Sequence, residues 1–387
     1  MKVIFLGTLP PVIGLSPYCL HLATAVSEKI DLVFLGFKDF SHKSRDFKRE
    51  SKIDESYYSD SLKKLKIQNS LSWYNPFSSL KASLKLNGDV LHVQWWISSL
   101  FAIYLPIIIM AKLKKIKIVV SVHNILPHEK SKSNIFFDKI VNKIIFSFAD
   151  EFIVHNLRNK EKLIEIYSLN EDKISIITHG IFSLYKTKGI SQENAKKHLC
   201  LPIEKKVLLF FGYIREYKGL DVLIKAFASL KKEMEDVILL IAGQTWKENW
   251  NKYEMLIKEN NLEESVVVEL GFVPESDIEY YFAASDIVVL PYKYLDTHGG
   301  VGAMALTFKK PLISTDVGGS LEYVKDKMAL VKPNDAQDLY NKLVQILKDE
   351  KLLAKLSKDS EELSKTLSWD KIADKTIDVY KKTADRP

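Results

Sequence analysis

Val207–Phe227, VLLFFGYIREYKGLDVLIKAF, is the stretch from which the rest of the chain can be read. Five apolar residues, Val207–Phe211, have the length and character of a buried strand, and Gly212 ends it. Arg215 and Lys218 flank a short turn. Gly219 then precedes LDVLIKAF, in which Leu220, Leu223, Ile224 and Phe227 recur at helical spacing. A turn bearing two cations between a strand and a helix start suits a phosphate. The free N–H groups of the helix end point outward, its dipole favours an anion, and Lys and Arg add full charge. Taken alone, the pattern leaves open an ordinary strand–turn–helix with solvated cations.

The same rhythm continues downstream. Strands are expected at Val237–Ala242, ending in Gly243, and at Val266–Leu270, Ile287–Leu290 and Pro311–Ser314, with helices at Trp246–Asn260 and Asp277–Ala284. Asp296-Thr297-His298-Gly299-Gly300-Val301-Gly302 reads as a glycine-rich turn entering a helix, Ala303–Phe308. DVGGSLE, Asp316–Glu322, reads as a second such turn. Alternating strands and helices predict a parallel sheet covered on both faces. Three glycine-rich or charged loops, around Gly212–Gly219, Asp296–Gly302 and Gly318–Glu322, then fall on one edge of that sheet. A phosphorylated ligand is the physical inference.

The first half has a similar alternation. Lys2–Leu6 reads as a strand, Gly7–Pro17 as a loop with two glycines and Tyr18–Ser27 as a helix, a Rossmann-like start without GxGxxG. Further strands are expected at Leu32–Gly36, Asp89–Gln94, Ile116–Val122, Ala149–His155 and Ile174–Ile177. Residues 38–88 read as polar and irregular, and 183–205 as a linker with a helix start. His123 follows a strand end, where open α/β sheets bind ligands. Its reading stays open between a substrate hydrogen bond, a structural contact and a metal site with His128 and Glu129. Pro127 denies these residues the single helix face of HExxH.

At 387 residues and 47% hydrophobic, two globular domains are expected. Two distant cysteines, Cys19 and Cys200, give neither a disulfide framework nor a metal pattern. The run Val3–Leu6 is too short for a signal peptide. Leu100–Ala111 is the longest apolar run, about 12 residues where a bilayer needs about 20. It reads as a core helix kinked at Pro106, with a membrane-surface helix as the alternative. Net charge is +7, and residues 1–185 hold 25 Lys and Arg against 17 Asp and Glu. That half is expected to meet something anionic, such as a phospholipid surface or a phosphate-bearing acceptor, and not nucleic acid.

FFGYIREYKGLDVLIKAF, GFVPESDIEYYFAASDIVVLPY, THGGVGAMAL and PLISTDVGGSLEYV resemble family 4 glycosyltransferases of the GT-B fold. GLSPYCLHLA, WYNPF, HVQWW, VHNILPHE and THG extend the resemblance into the first half. It implies two Rossmann-like domains facing each other across a cleft, 1–185 on the acceptor side and 186–369 on the nucleotide-sugar side. A C-terminal helix at about 370–387 completes the first.

It also implies a retaining, metal-independent transfer of the hexosyltransferase class from a nucleotide-diphosphate sugar to a saccharide or lipid-linked acceptor. No cofactor is implied. The setting would be cell-surface polysaccharide or glycolipid synthesis in the cytoplasm or at the inner face of the membrane.

Arg215 and Lys218 match the pair that grips the diphosphate. Gly299, Gly300 and Val301, with Thr297 and His298 before them, match the turn approaching sugar and phosphates. Glu322 matches the acid after the second glycine pair, and His123 the histidine near the reacting carbon. Gly14, Gly212, Gly219 and Gly243 match donor-side glycines. Two departures stand out. Tyr213 replaces an Arg common after the first glycine, and Asp296 and Met304 fall about where many members carry two glutamates. The alternatives kept are a non-catalytic GT-B binding subunit, a phosphorylase or epimerase on the same fold, and a lysine-rich membrane-binding module.

Overall fold

The computed structural model describes residues 1–10, 15–38, 56–75, 77–125, 132–181, 188–246, 249–294 and 300–386. Its strands are β1 Lys2–Leu6, β2 Asp31–Phe37, β3 Lys66–Leu71, β4 Val90–Trp95, β5 Lys117–Val122, β6 Glu151–Val154, β7 Ile174–Ile176, β8 Lys206–Phe211, β9 Val237–Gly243, β10 Val266–Leu270, β11 Ile287–Leu290, β12 Leu312–Thr315 and β13 Leu330–Val331. Its helices are α1 Ser16–Ser27, α2 Ser56–Lys64, α3 Phe77–Leu84, α4 Phe101–Leu113, α5 Lys132–Ser147, α6 Leu157–Tyr167, α7 Gln192–His198, α8 Leu220–Glu233, α9 Asn251–Glu259, α10 Ile278–Ala284, α11 Gly300–Thr307, α12 Ala336–Lys348, α13 Glu350–Thr366 and α14 Trp369–Ala384.

These elements form two compact units. Met1–Gly180 and Ser368–Pro387 make one, Ile181–Leu367 the other. The first holds a seven-stranded sheet, β3-β2-β1-β4-β5-β6-β7, and the second a six-stranded sheet, β10-β9-β8-β11-β12-β13. Every described strand pair is parallel. Parallel neighbours need crossover helices, which cover both faces and explain why strands such as VILLIAG are apolar throughout. Each sheet reverses its strand order once, at β1/β4 and at β8/β11. Such switch points open a crevice at the carboxyl ends of the strands. Each unit is thus Rossmann-like.

Several expectations need correction. The described part of 38–88 is regular: α2, β3 and α3 occupy it. β3 is an edge strand paired only with β2, and KIQNSL is largely half-exposed, so it carries no apolar run to betray it. The helix expected from Trp246 begins at Asn251, and the Trp246 N–H is instead given to Ile214 O. The helix expected from Ala303 begins at Gly300. The turn expected at DVGGSLE is present as a 3-10 turn that runs one residue further, Gly318–Tyr323. Pro106 lies inside α4, whose Ile103, Tyr104, Ile107, Ile108 and Ala111 are buried, so its apolar surface serves the core. Among the described residues, no helix is long and apolar enough to cross a membrane.

The last helix belongs to the first unit. Tyr380 Oη lies 2.6 Å from His92 Nδ1 under the sheet. The fully buried Glu151 is met by Lys382 at 2.8 Å and Arg386 at 2.5 Å.

Candidate functional site

At the β8/β11 switch point the backbone is tightly packed. Gly219 has φ +68°, and a Cβ there would lie 1.9 Å from the Pro291 carbonyl oxygen. Gly243, at φ +149°, lies so close to Gly212 that a Cβ would meet its oxygen at 1.9 Å. Only glycine fits such positions. The two close approaches bring three strand ends together: β8 into Gly212–Gly219, β9 into Gly243, and β11 into Pro291. Thr315 Oγ1, at the end of β12, donates to Tyr292 O at 2.7 Å and adds the fourth.

Lys218 ends the 3-10 turn Glu216–Lys218, and its side chain folds back over Gly212. A Cβ on Gly212 would sit 3.2 Å from Lys218 Nζ and 3.3 Å from Val301 Cγ2. The ammonium therefore stands beside the first turn of α11. Lys218 is only 7% exposed, with Nζ 5.7 Å from the Tyr292 ring centre. It has no carboxylate partner among the described residues. Burial first, and then the nearby Arg215 guanidinium, push its pKa down to about 7. A buried ammonium is costly unless paired, and the lowered pKa is the form that cost takes here.

Arg215 is held by aromatic faces. Its Cζ lies 5.0 Å from the Trp246 ring and 5.8 Å from Tyr213. Its Nε is buried without a hydrogen-bond partner among the described residues. Tyr213, the departure from the common Arg, thus becomes a wall of the Arg215 seat. The Arg215 loop is braced by the 244–246 segment: Ile214 N–H donates to Gln244 O at 2.8 Å. Lys293 pairs with Asp221 of α8 at 2.9 Å, and its N–H donates to Tyr217 O at 2.7 Å. Trp246, Tyr292 and Lys293 were not singled out from sequence. The only signal was their position just past a strand end.

Gly300 and Val301 occupy the start of α11, and Gly302 lies under Tyr323, where a Cβ would meet the ring at 2.4 Å. Glu322 is half-buried in the adjoining 3-10 turn. Ser320 Oγ is buried there without a hydrogen-bond partner among the described residues. Gly14, Asp296, Thr297, His298 and Gly299, like His128 and Glu129, lie outside the described residues.

His123, in the first unit, is buried at the end of β5. Its Nε2 is 2.8 Å from Gln94 Oε1 and its Nδ1 3.0 Å from His155 Nε2. His155 Nδ1 faces the Ile177 carbonyl at 2.9 Å and so donates to it. Burial lowers the pKa of His155 to about 4 and keeps it neutral, so with its Nδ1–H given to Ile177 O its Nε2 carries the lone pair. The Tyr18 ring packs on His123, His155 and His179. Sequence reading found His123 but neither Gln94 nor His155, which sit on neighbouring strands. Among the described residues, no group of three or more His, Cys, Asp and Glu side chains could hold a metal ion.

Comparison with known proteins agrees with this architecture. Residues 14–182 match the family model "Glycosyltransferase Family 4" and residues 191–363 match "Glycosyl transferases group 1". A D-inositol 3-phosphate glycosyltransferase of Corynebacterium aurimucosum is 27% identical over 250 residues, 62% of this chain and 59% of that one. An uncharacterized glycosyltransferase of Methanocaldococcus jannaschii, MJ1607, is 28% identical over 57% of each chain. These matches thus span less than two thirds of the relatives' own length.

Among solved structures, Anabaena Alr3699/HepE in complex with UDP superposes with TM-score 0.76 at 17% identity, over 99% of this chain and 100% of that one. A Rickettsia africae glycosyltransferase gives 0.74 at 19% identity, over 100% of both. At such identities the likeness is one of fold. With both halves matched by the two family models, and two parallel-sheet Rossmann-like units of the matching architecture, the chain belongs to family 4 of the GT-B glycosyltransferases.

Proposed function

We propose that this protein moves a hexosyl group from a nucleoside-diphosphate sugar to a saccharide or lipid-linked acceptor, with retention at the anomeric carbon and no required metal. The observation that carries the reading is Lys218: a buried ammonium without a carboxylate partner among the described residues, seated over Gly212 beside the start of α11. A diphosphate placed there would meet Lys218, the Arg215 guanidinium and the free N–H groups of the helix start.

As the bond from the anomeric carbon to the diphosphate oxygen breaks, negative charge grows on that oxygen. Fixed cations lower the barrier without having to reorganise. Lys218 and Arg215 supply that charge, and metal independence rests on them. The acceptor hydroxyl forms the new bond from the side the diphosphate leaves, and the departing phosphate oxygen takes its proton, so no enzyme base is needed. By the same family likeness His123 is assigned to the donor sugar.

HepE has been solved in complex with UDP, with UDP and glucose, and with UDP-glucose. A uridine donor is therefore the first to test. One observation favours a non-catalytic binding subunit: Met304, about where many members carry a second acid, packs against an apolar cluster. A thermal-shift screen of UDP, GDP, ADP and their sugars, followed by a transfer assay in chelator, separates the two. One nucleotide at 100 times its Kd is expected to add about 2.7 kcal/mol of stability. Lys218→Ala is expected to lower transfer by roughly 10²–10³-fold. Absence of binding by every nucleotide, or a Lys218→Ala enzyme within threefold of wild type, overturns the proposal.

A further inference from the structure

Gly212 ends β8, but the chain stays beside the continuation of β9 for a few residues more. Ile214 N–H donates to Gln244 O at 2.8 Å and Trp246 N–H to Ile214 O at 3.1 Å, so Ile214 and Thr245 form one further parallel bridge. Along an extended segment, neighbouring side chains point to opposite sides. Ile214 is fully buried, which leaves Tyr213 and Arg215 together on the other side. Trp246 reaches the same side from the adjoining segment. Its ring stands 5.6 Å from that of Tyr213 at an interplanar angle of 69°, and the Arg215 Cζ lies 5.0 Å from the Trp246 ring centre and 5.8 Å from that of Tyr213.

An aromatic face attracts a guanidinium through the ring's negative quadrupole and leaves the N–H groups free to donate. A carboxylate would orient Arg215 too, but it would also neutralise the charge that an incoming diphosphate needs. Among the described residues the guanidinium is held by rings, and its Nε is buried without a hydrogen-bond partner. Lys218 stands close enough for the two cations to disfavour each other, one of the causes that lower its pKa. With no ligand between them, that repulsion drives the half-buried Arg215 side chain towards solvent, and the indole opposes it. The backbone bonds of residue 246 form with any side chain there, so the brace between the two segments does not depend on the indole.

We infer that Trp246 is a positioning residue for the departing diphosphate, its indole holding the Arg215 guanidinium in place and its N–H donors free before the nucleotide binds. The inference deepens the proposed function and rests on its nucleotide-sugar donor. Trp246 acts through Arg215. A guanidinium already in position loses little freedom when the diphosphate arrives, and it needs no reorganisation when negative charge grows on the leaving oxygen. The effect of the indole is therefore expected both in affinity and in turnover.

Calorimetric titration of UDP into the full chain tests it, with wild type, Trp246→Leu, Trp246→Phe, Arg215→Ala and the Arg215→Ala/Trp246→Leu double variant. Trp246→Leu is expected to weaken UDP binding by about 3–30-fold, and Trp246→Phe by less, because a benzene ring keeps a weaker face for the cation. In the Arg215→Ala background the same leucine should change affinity by less than about twofold, since the group it acts through is gone. In the transfer assay Trp246→Leu should lower kcat as well as raise KM, as Arg215→Ala does. The melting temperatures of the unliganded Trp246 variants should stay close to wild type. Equal losses from Trp246→Leu with and without Arg215 would mean that the indole meets the nucleotide itself. That result, or unchanged UDP binding in Trp246→Leu, overturns the inference and leaves the nucleotide-sugar reading intact. A wild-type protein that binds none of UDP, GDP and ADP removes both.

Discussion

Lys218 shows what a single side chain gains from its surroundings. In a solvated turn it would be one lysine among many. Enclosed by Gly212, Val301 and Tyr292, it loses hydration, and its pKa falls from 10.5 to about 7. Between those values the unfolded chain binds more protons than the folded one, so this residue makes stability rise with pH from about 7 towards 10.5. The cost of the buried charge is therefore full below about pH 7, where the site is best prepared for an anion.

Nucleotide binding should restore the charge. At pH 8 the free protein holds Lys218 mostly neutral, and a diphosphate beside it favours the ammonium. Calorimetry in buffers of different ionisation enthalpy should detect uptake of up to about one proton per nucleotide at pH 8 and almost none at pH 6. Lys218→Ala should show no such uptake at either pH. Uptake that persists in the variant would place the titrating group elsewhere.

The segment joining β8 to α8 acts as a unit because its glycines let backbones touch. Gly219 holds φ +68° against Pro291 O, and Asp221 and Lys293 tie the same two loops by an ion pair. Gly219→Ala adds a methyl group where the oxygen lies 1.9 Å away and imposes a left-handed backbone on a residue that resists it. It should lower unfolding stability by at least ~1–3 kcal/mol and displace Lys218, weakening the nucleotide shift as well. Denaturant unfolding measures the first effect and thermal shift the second. A variant with unchanged stability would mean that the β11 loop moves away freely. The first unit relies on side chains where the second relies on backbone. Gln94, His123 and His155, from β4, β5 and β6, form one hydrogen-bonded row that orients His123.

Over the chain as a whole, the two units share the termini unequally. The chain leaves the first unit at Gly180, builds the second, and returns with α14 from Ser368. α14 buries Trp369, Ile372 and Tyr380 in the first unit and brings Lys382 and Arg386 to Glu151. Removing residues 368–387 would leave Glu151 buried without its cations, an arrangement that costs about 3–5 kcal/mol for a broken buried pair, before the lost apolar burial is counted. Calorimetry should show the transition of the first unit lowered or lost. The second unit should keep its own transition and its nucleotide response. Equal loss from both would mean that the two fold as one cooperative body.

How much of this was legible in sequence follows from the range of each interaction. Strand and helix periodicity is local, so VLLFFGYIREYKGLDVLIKAF by itself specified a buried strand, a cationic glycine turn and an amphipathic helix. Repetition of that unit specified parallel α/β halves. Edge strand β3 escaped notice because one neighbour suffices for it, and a half-exposed strand needs no apolar run. The tertiary structure alone decided that Lys218 is buried and has no carboxylate partner among the described residues, that Trp246 holds Arg215, and that Gln94 and His155 flank His123. Each of these depends on which distant segments pack together, because desolvation and burial are set by neighbours in space rather than in sequence.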